Sequence, residues 1–298
     1  ENIRLYGGFD GTETLRNQRD FAKNPTYLSC KLTSSLYCYE IMMAEDNTIV
    51  DGFIFKDAGF GTVRRRLANS ISVAEVLSST ATQPGAGILS NSTNIIVANS
   101  IFLKLFSGGK GGAVYCIGLE GTGLVKSPSF INVEFLGNRA NIRGGAISAD
   151  AECHFECEYC VFDSNSVAKK GGAIYLDFDA DPIFIDTIFR NNYALESGGC
   201  IAADGKSNAQ FINTKFENNS AKWEGGCLYS GSGVSKGIHQ GFDIIAYKFD
   251  INTVFNNNYL MDNNPGAGDV YLWPYSSLTQ TQWSSPTVEP TMGLTKVP

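Results

Sequence analysis

Charge is scarce in this chain: charged residues make up 18% of the 298, histidines number two and methionines four. No apolar run reaches the roughly 18 residues that a membrane-crossing helix needs, so this segment carries no helical span. Basic stripes are missing too, apart from Arg64, Arg65 and Arg66, which read as a solvated loop, and the formal net charge is -7. Nucleic acid is therefore not an expected partner, because phosphate binding calls for clustered Lys and Arg. With so little histidine the usual Cys/His zinc spacings do not occur, and Cys153, Cys157 and Cys160 lack the second pair that a zinc ribbon requires. Nor does any segment sustain a 3.6-residue apolar period between helix caps.

What is present suits a loop-rich β protein. Hydrophobic residues reach 43%, with 32 glycines and abundant Asn and Ser. Eight cysteines, an even count, point to disulfides and an oxidising compartment, so an extracellular or cell-surface location is expected. The sequons at Asn91 and Asn218 are compatible with N-glycosylation during secretion. Because the chain starts at Glu1, with neither Met nor a signal peptide, it reads as a piece of a longer precursor.

The most informative feature is self-similarity. Gly-Gly pairs followed by a small residue and an aliphatic one occur at Gly111-Gly112-Ala113-Val114, Gly144-Gly145-Ala146-Ile147, Gly171-Gly172-Ala173-Ile174, Gly198-Gly199-Cys200-Ile201 and Gly225-Gly226-Cys227-Leu228, and the last four begin 27 residues apart. Nine residues before each pair stands Phe102, Phe135, Phe162, Phe189 or Phe216, and the last four are followed three positions later by Asn138, Asn165, Asn192 and Asn219. Three before each Phe comes Asn99, Asn132, Tyr159, Asp186 or Asn213, and a stretched copy appears as Asn252, Phe255 and Asn258. Short apolar strands alternate with Asn-, Gly- and Ser-rich turns, so three strands and three turns fit one coil. The reading is all-β: a right-handed, single-stranded parallel β-helix with about 27 residues per coil. In such a stack equivalent residues sit about 4.8 Å apart, so the Phe column becomes an inward aromatic stack. The Asn column fits because Asn tolerates a left-handed turn and its amide can bond its counterpart in the next coil. Glycine pairs mark corners and not phosphate loops, since no following helix or Lys accompanies them.

The helix is expected over 1–272, with irregular early coils in 1–98, regular repeats in 99–230, and an insertion and last coil in 231–272. Asn47 to Phe55 reads as an early coil and Gly268 to Leu272 as the final strand. Residues 273–298, with Pro274, Pro286, Pro290 and Pro298, have lost the period and read as a C-terminal cap or linker.

The Gly-Gly-Ala-Ile and Phe-x-x-Asn pair resembles the repeat of the chlamydial polymorphic outer-membrane proteins and of many secreted β-helix proteins of bacteria and protists. The opening Ile3-Arg4-Leu5-Tyr6-Gly7-Gly8-Phe9-Asp10-Gly11-Thr12-Glu13-Thr14, together with Asp51-Gly52-Phe53, looks like the first coils of such surface proteins. The resemblance spans roughly Ile3 to Leu272 and implies the fold and a surface setting, but not a chemistry, since adhesins and polysaccharide lyases share this architecture. Cys200 and Cys227 depart from the pattern by standing where it has Ala.

Cys200 and Cys227 occupy one repeat position in successive coils, close enough for a disulfide, and that bond is expected. Cys30 and Cys38 form the second expected pair. Cys116, Cys153, Cys157 and Cys160 can pair in three ways. Asp150, Asp177 and Asp204 share a repeat position and, with Asp179 and Asp181, are the candidate calcium ligands; no other cofactor is expected. Stacked like charges need protonation, hydration or a bridging cation. No Lys or Arg is assigned to that column except the nearby Lys206, and no catalytic residue is assigned. His239 reads as a loop residue. Tyr115, Tyr175 and Tyr229 share one outward position and are candidates for a glycan or subunit contact. The leading functional reading is a non-catalytic structural or adhesive building block of a coat, filament or appendage, with itself, other surface proteins or glycans as partners. The alternative is a carbohydrate-active β-helix protein.

Overall fold

The computed structural model describes residues 3–31, 38, 40–59, 85–90, 94–118, 127–205, 207–231, 246–260, 270–272, 277–280 and 295–296. Arg64 to Arg66, the sequon Asn91, Lys206 and His239 lie outside them. The described strands form four sheets of nine, eight, six and nine strands, and every registered pair is parallel, each strand bonding its equivalent in the next coil. This is a parallel β-helix.

One regular coil shows the path. Ile183–Ile185 lies in the first sheet, Ile188–Arg190 in the second, Tyr193–Ala194 in the third and Ile201–Ala203 in the fourth. The expected three strands per coil are thus joined by a fourth, a two-residue strand too short to carry an alternation of its own. Registered partners such as Glu134 with Val161, Val161 with Ile188 and Ile188 with Lys215 are 27 residues apart. Earlier coils depart from that spacing, as Ile54 pairs with Ile101. At the other end Ser277–Gln280 and Thr295–Lys296 add strands to the first and fourth sheets, so part of the segment expected as a cap joins the stack.

The core is a set of columns. Phe55, Phe102, Phe135, Phe162, Phe189, Phe216 and Phe255 stack face to face, with successive ring centroids 4.4 to 5.2 Å apart. Phe184, Phe211 and Phe249 form a parallel column from the first sheet and meet it edge-on. Ile147, Ile174, Ile201 and Leu228 line the fourth sheet's inner face, fully buried. Such a column removes apolar surface from water at each added coil, worth about 25 cal/mol per Å².

The Asn column lies inside this core. Asn192 Oδ1 accepts from the backbone N–H and the side-chain amide of Asn165, both at 3.0 Å. Its own amide donates to Phe162 carbonyl at 2.9 Å and to Asn219 Oδ1 at 2.9 Å. The same pattern runs from Asn138 to Asn258. The left-handed conformation falls one residue earlier than expected, on Gly137, Ser164, Asn191, Asn218 and Asn257. A second left-handed column holds Asn99, Asn132, Tyr159, Asp186 and Asn213. The buried Asn therefore serves as a bonding residue, satisfying backbone groups that the turn beside it leaves unpaired.

The Gly-Gly corner is tight. Gly171 has φ +75, and a Cβ on Gly172 would fall 1.9 Å from Gly199 carbonyl oxygen, so the second glycine is required by the approach of the next coil. Replacing Asn192 with Ala removes four hydrogen bonds and leaves the Asn165 N–H buried without a partner. Chemical denaturation of Asn192→Ala is expected to show a loss of about 3 kcal/mol or more, and a loss below about 1 kcal/mol would contradict the ladder's role.

Candidate functional site

The outer face of the fourth sheet holds the buried charges. In Ile147–Asp150 and Ile174–Leu176 every residue is buried, so the outward-pointing positions are covered as well as the inward ones. Down this face run three columns. The first is Tyr115, Ser148, Tyr175, Ala202 and Tyr229, in direct register. The second is the acid column of Asp150, Asp177 and Asp204, at the strand ends. The third is Lys110, Arg143 and Lys170, bridged in that order immediately before the glycine pairs and continued by Ser197 and Glu224.

Acids and cations meet with a stagger of one coil. Lys110 pairs with Asp150, Arg143 with Asp177 at 2.9 Å, and Lys170 with Asp204 at 3.2 Å. The tyrosine hydroxyls complete the net. Tyr115 donates to Asp150 Oδ2 at 2.8 Å, and Tyr175 donates to Asp204 Oδ2 at 2.6 Å and also lies 3.3 Å from Asp177 Oδ2. Arg143 lies over the Tyr175 ring at 4.4 Å, and Lys170 over Tyr229 at 4.8 Å. Cation over ring and cation on carboxylate reinforce each other in a partly desolvated setting.

The expectation that no Lys or Arg shares the acid column is thus overturned. Each of the three cations belongs to the coil before its acid, which a comparison within one copy does not reveal. The signal was there: three successive glycine pairs are preceded by Lys110, Arg143 and Lys170. Asp179 and Asp181 stand apart from the column. Asp179 adopts a left-handed turn with φ 60, and its carbonyl accepts from His154 Nε2 at 2.8 Å. Asp181 accepts from Asn208 N–H at 2.7 Å. Among the described residues no group of three or more His, Cys, Asp or Glu is arranged to hold a metal ion.

The tyrosines are not an exposed platform. Tyr175 and Tyr229 are buried at 0% and 6% exposure, and Tyr115 is half-buried. The hydroxyls of Tyr115 and Tyr175 turn onto the acid column, and Leu260 packs against the cluster of Tyr175 and Tyr229. Of the sequons, Asn218 is exposed in its turn, while the neighbouring Asn219 is locked in the ladder.

Disulfides join Cys30 to Cys38 and Cys116 to Cys153. Cys200 and Cys227, expected to be joined, are not. Their side chains leave successive parallel strands in the same direction, so the thiols lie side by side and Cys200 is hydrogen-bonded to Cys227. Cys153 instead reaches Cys116 from the turn that follows the next coil's strand. Cys157 and Cys160 are buried thiols in mutual contact, and burial pushes the Cys157 thiol well up.

Two segments, 132–150 and 159–177, match the model of the Chlamydia polymorphic membrane protein repeat. The matched residues include Phe135, Asn138 and Asp150 in the first copy and Phe162, Asn165 and Asp177 in the second. No curated protein and no solved structure gives a significant match. Two coils of this parallel β-helix are thus similar to that repeat.

Burial, and next the charge of Asp150, raise the Asp177 carboxyl from its ordinary 3.8 to about 6, against the pull of Arg143. Because the folded value exceeds the unfolded one, the folded chain takes up this proton first as pH falls. The group's contribution to stability therefore increases as pH drops through about 6, is complete below 3.8, and is lost as pH rises again. Denaturation at pH 7 and pH 5 is expected to show the native chain gaining about 1 kcal/mol relative to Asp177→Asn over that window. Parallel pH profiles for the two proteins would contradict the assignment.

Proposed function

We propose that this chain is a non-catalytic structural or adhesive element of a cell surface, a stiff rod that acts through its ends and outer faces. The observation that carries the reading is how the side chains are used. The inward columns of Phe, Ile and Asn stack on themselves, and the buried charges of the fourth sheet are neutralised within the same net of Lys110, Arg143, Lys170, Asp150, Asp177, Asp204 and tyrosine. A stack in which each coil supports the next is stiff along its axis and extends by repetition, as a coat, filament or appendage requires. The match to repeats named for a chlamydial membrane protein supports a surface setting.

A second reading, carbohydrate cleavage, draws on one observation. Asp177 is a carboxyl held up to about 6, the kind of group that serves as a general acid. The structural reading is favoured because that carboxyl lies at 6% exposure, bonded to Arg143 and beside the Tyr175 hydroxyl.

Electron microscopy of the protein taken from its native surface, paired with a polysaccharide panel with and without calcium, separates the two. Rods joined into regular filaments or sheets, with no change in polysaccharide size, are the expected result. Cleavage that Asp177→Asn abolishes while the fold is retained would overturn the structural reading.

A further inference from the structure

The tyrosine column offers an internal comparison. It alternates large and small, with Ser148 between Tyr115 and Tyr175 and Ala202 between Tyr175 and Tyr229. At Ala202 the small residue is apolar and packs within a cluster formed with Tyr175 and Tyr229. At Ser148 it is polar, fully buried, and its Oγ has no hydrogen-bond partner. Two residues along the same strand, on the same face, Asp150 is 4% exposed and its Oδ1 is likewise without a partner. The other oxygen of that carboxylate already takes Lys110 and the Tyr115 hydroxyl.

Two orphaned oxygens on one strand face are a specific signal, because a buried polar atom without a partner is costly and uncommon. Residues i and i+2 of a strand are about 6.6 Å apart along it, too far for a short Ser and an Asp to bond each other directly, and the right distance for one bridging molecule. The bridging molecule must donate to a carboxylate oxygen and bond a hydroxyl.

Charge decides its class. Lys110, Arg143 and Lys170 already balance Asp150, Asp177 and Asp204 one for one, and the Arg143 guanidinium lies over the Tyr175 ring next to Ser148. A further cation would be repelled, and an anion would face the bare oxygen of Asp150. A neutral molecule with two donors and two acceptors fits both constraints. We propose that Ser148 Oγ and Asp150 Oδ1 bind one buried water molecule between them. It donates one hydrogen to Asp150 Oδ1 and bonds the Ser148 hydroxyl, which joins the serine to the ionic net that crosses the coils. The Ala202 step, with no orphaned polar atom, holds none.

A crystal structure of the whole chain at about 1.5 Å, with a parallel crystal soaked in a rubidium salt, tests this. The expected result is one peak within about 2.6 to 3.1 Å of both oxygens, without anomalous signal at the rubidium edge, and none beside Ala202. Ser148→Ala is expected to lose the peak or more than halve its occupancy, with Lys110 still on Asp150. A rubidium peak at the site would overturn the assignment in favour of a monovalent cation. A site without density, or Ser148 Oγ bonded directly to protein, would overturn it outright.

Discussion

A parallel β-helix places each residue on its own repeat-equivalent about 4.8 Å away, so the side chains that persist are those that tolerate their own copies. The described structure follows from that constraint. Phenylalanine stacks on phenylalanine at 4.4 to 5.2 Å, isoleucine on isoleucine, and asparagine on asparagine through paired amide bonds. Asn is suited to a buried column because its amide donates upward and accepts downward at the same time, and this head-to-tail bonding orients every amide in one sense.

Charge is the residue class that this constraint treats worst, since an acid above an acid repels. The fourth sheet resolves it by offset: each cation belongs to the coil before its acid, so Arg143 reaches Asp177 and Lys170 reaches Asp204. The tyrosines extend the same device, with Tyr175 donating across the coil boundary to Asp204. The net is local. In the acid column the flanking positions are Ile117 below and Gly231 above, and a Cβ at Gly231 would fall 1.7 Å from Asp204 Oδ1. Asp177, buried and with neighbouring acids on both sides, has its affinity for a proton raised.

The parts of this fold that can be read from sequence are those in which one residue type repeats at one position. Phe135, Phe162, Phe189 and Phe216, the Asn that follows each, and the glycine pairs announce the coil because the same physical demand recurs at each step. The acid column was legible for the same reason. Its cations were not, because the pairing runs between copies, and Lys110, Arg143 and Lys170 are read as isolated residues when each repeat is taken alone. Tyr175 and Tyr229 point outward and are nevertheless buried, because the alternation rule assigns a side of the strand but not what covers that side. The Cys200 and Cys227 pairing failed on direction: closeness of backbone does not turn two parallel side chains toward each other. The two-residue third-sheet strands, such as Tyr193–Ala194, carry too few residues to show a period.

Folding of this chain requires whole coils in register. Two deletions test it most directly, one of residues 165–191, which joins Ser164 to Asn192 so that each column keeps its own residue type, and one of residues 165–190, which shifts every later column by one position. The first is expected to fold with a single cooperative unfolding transition and strand-rich circular dichroism, one coil shorter, while the second loses both, because a one-residue slip turns core side chains to the opposite face. Two deletions that fold equally well, or fail equally, would contradict it.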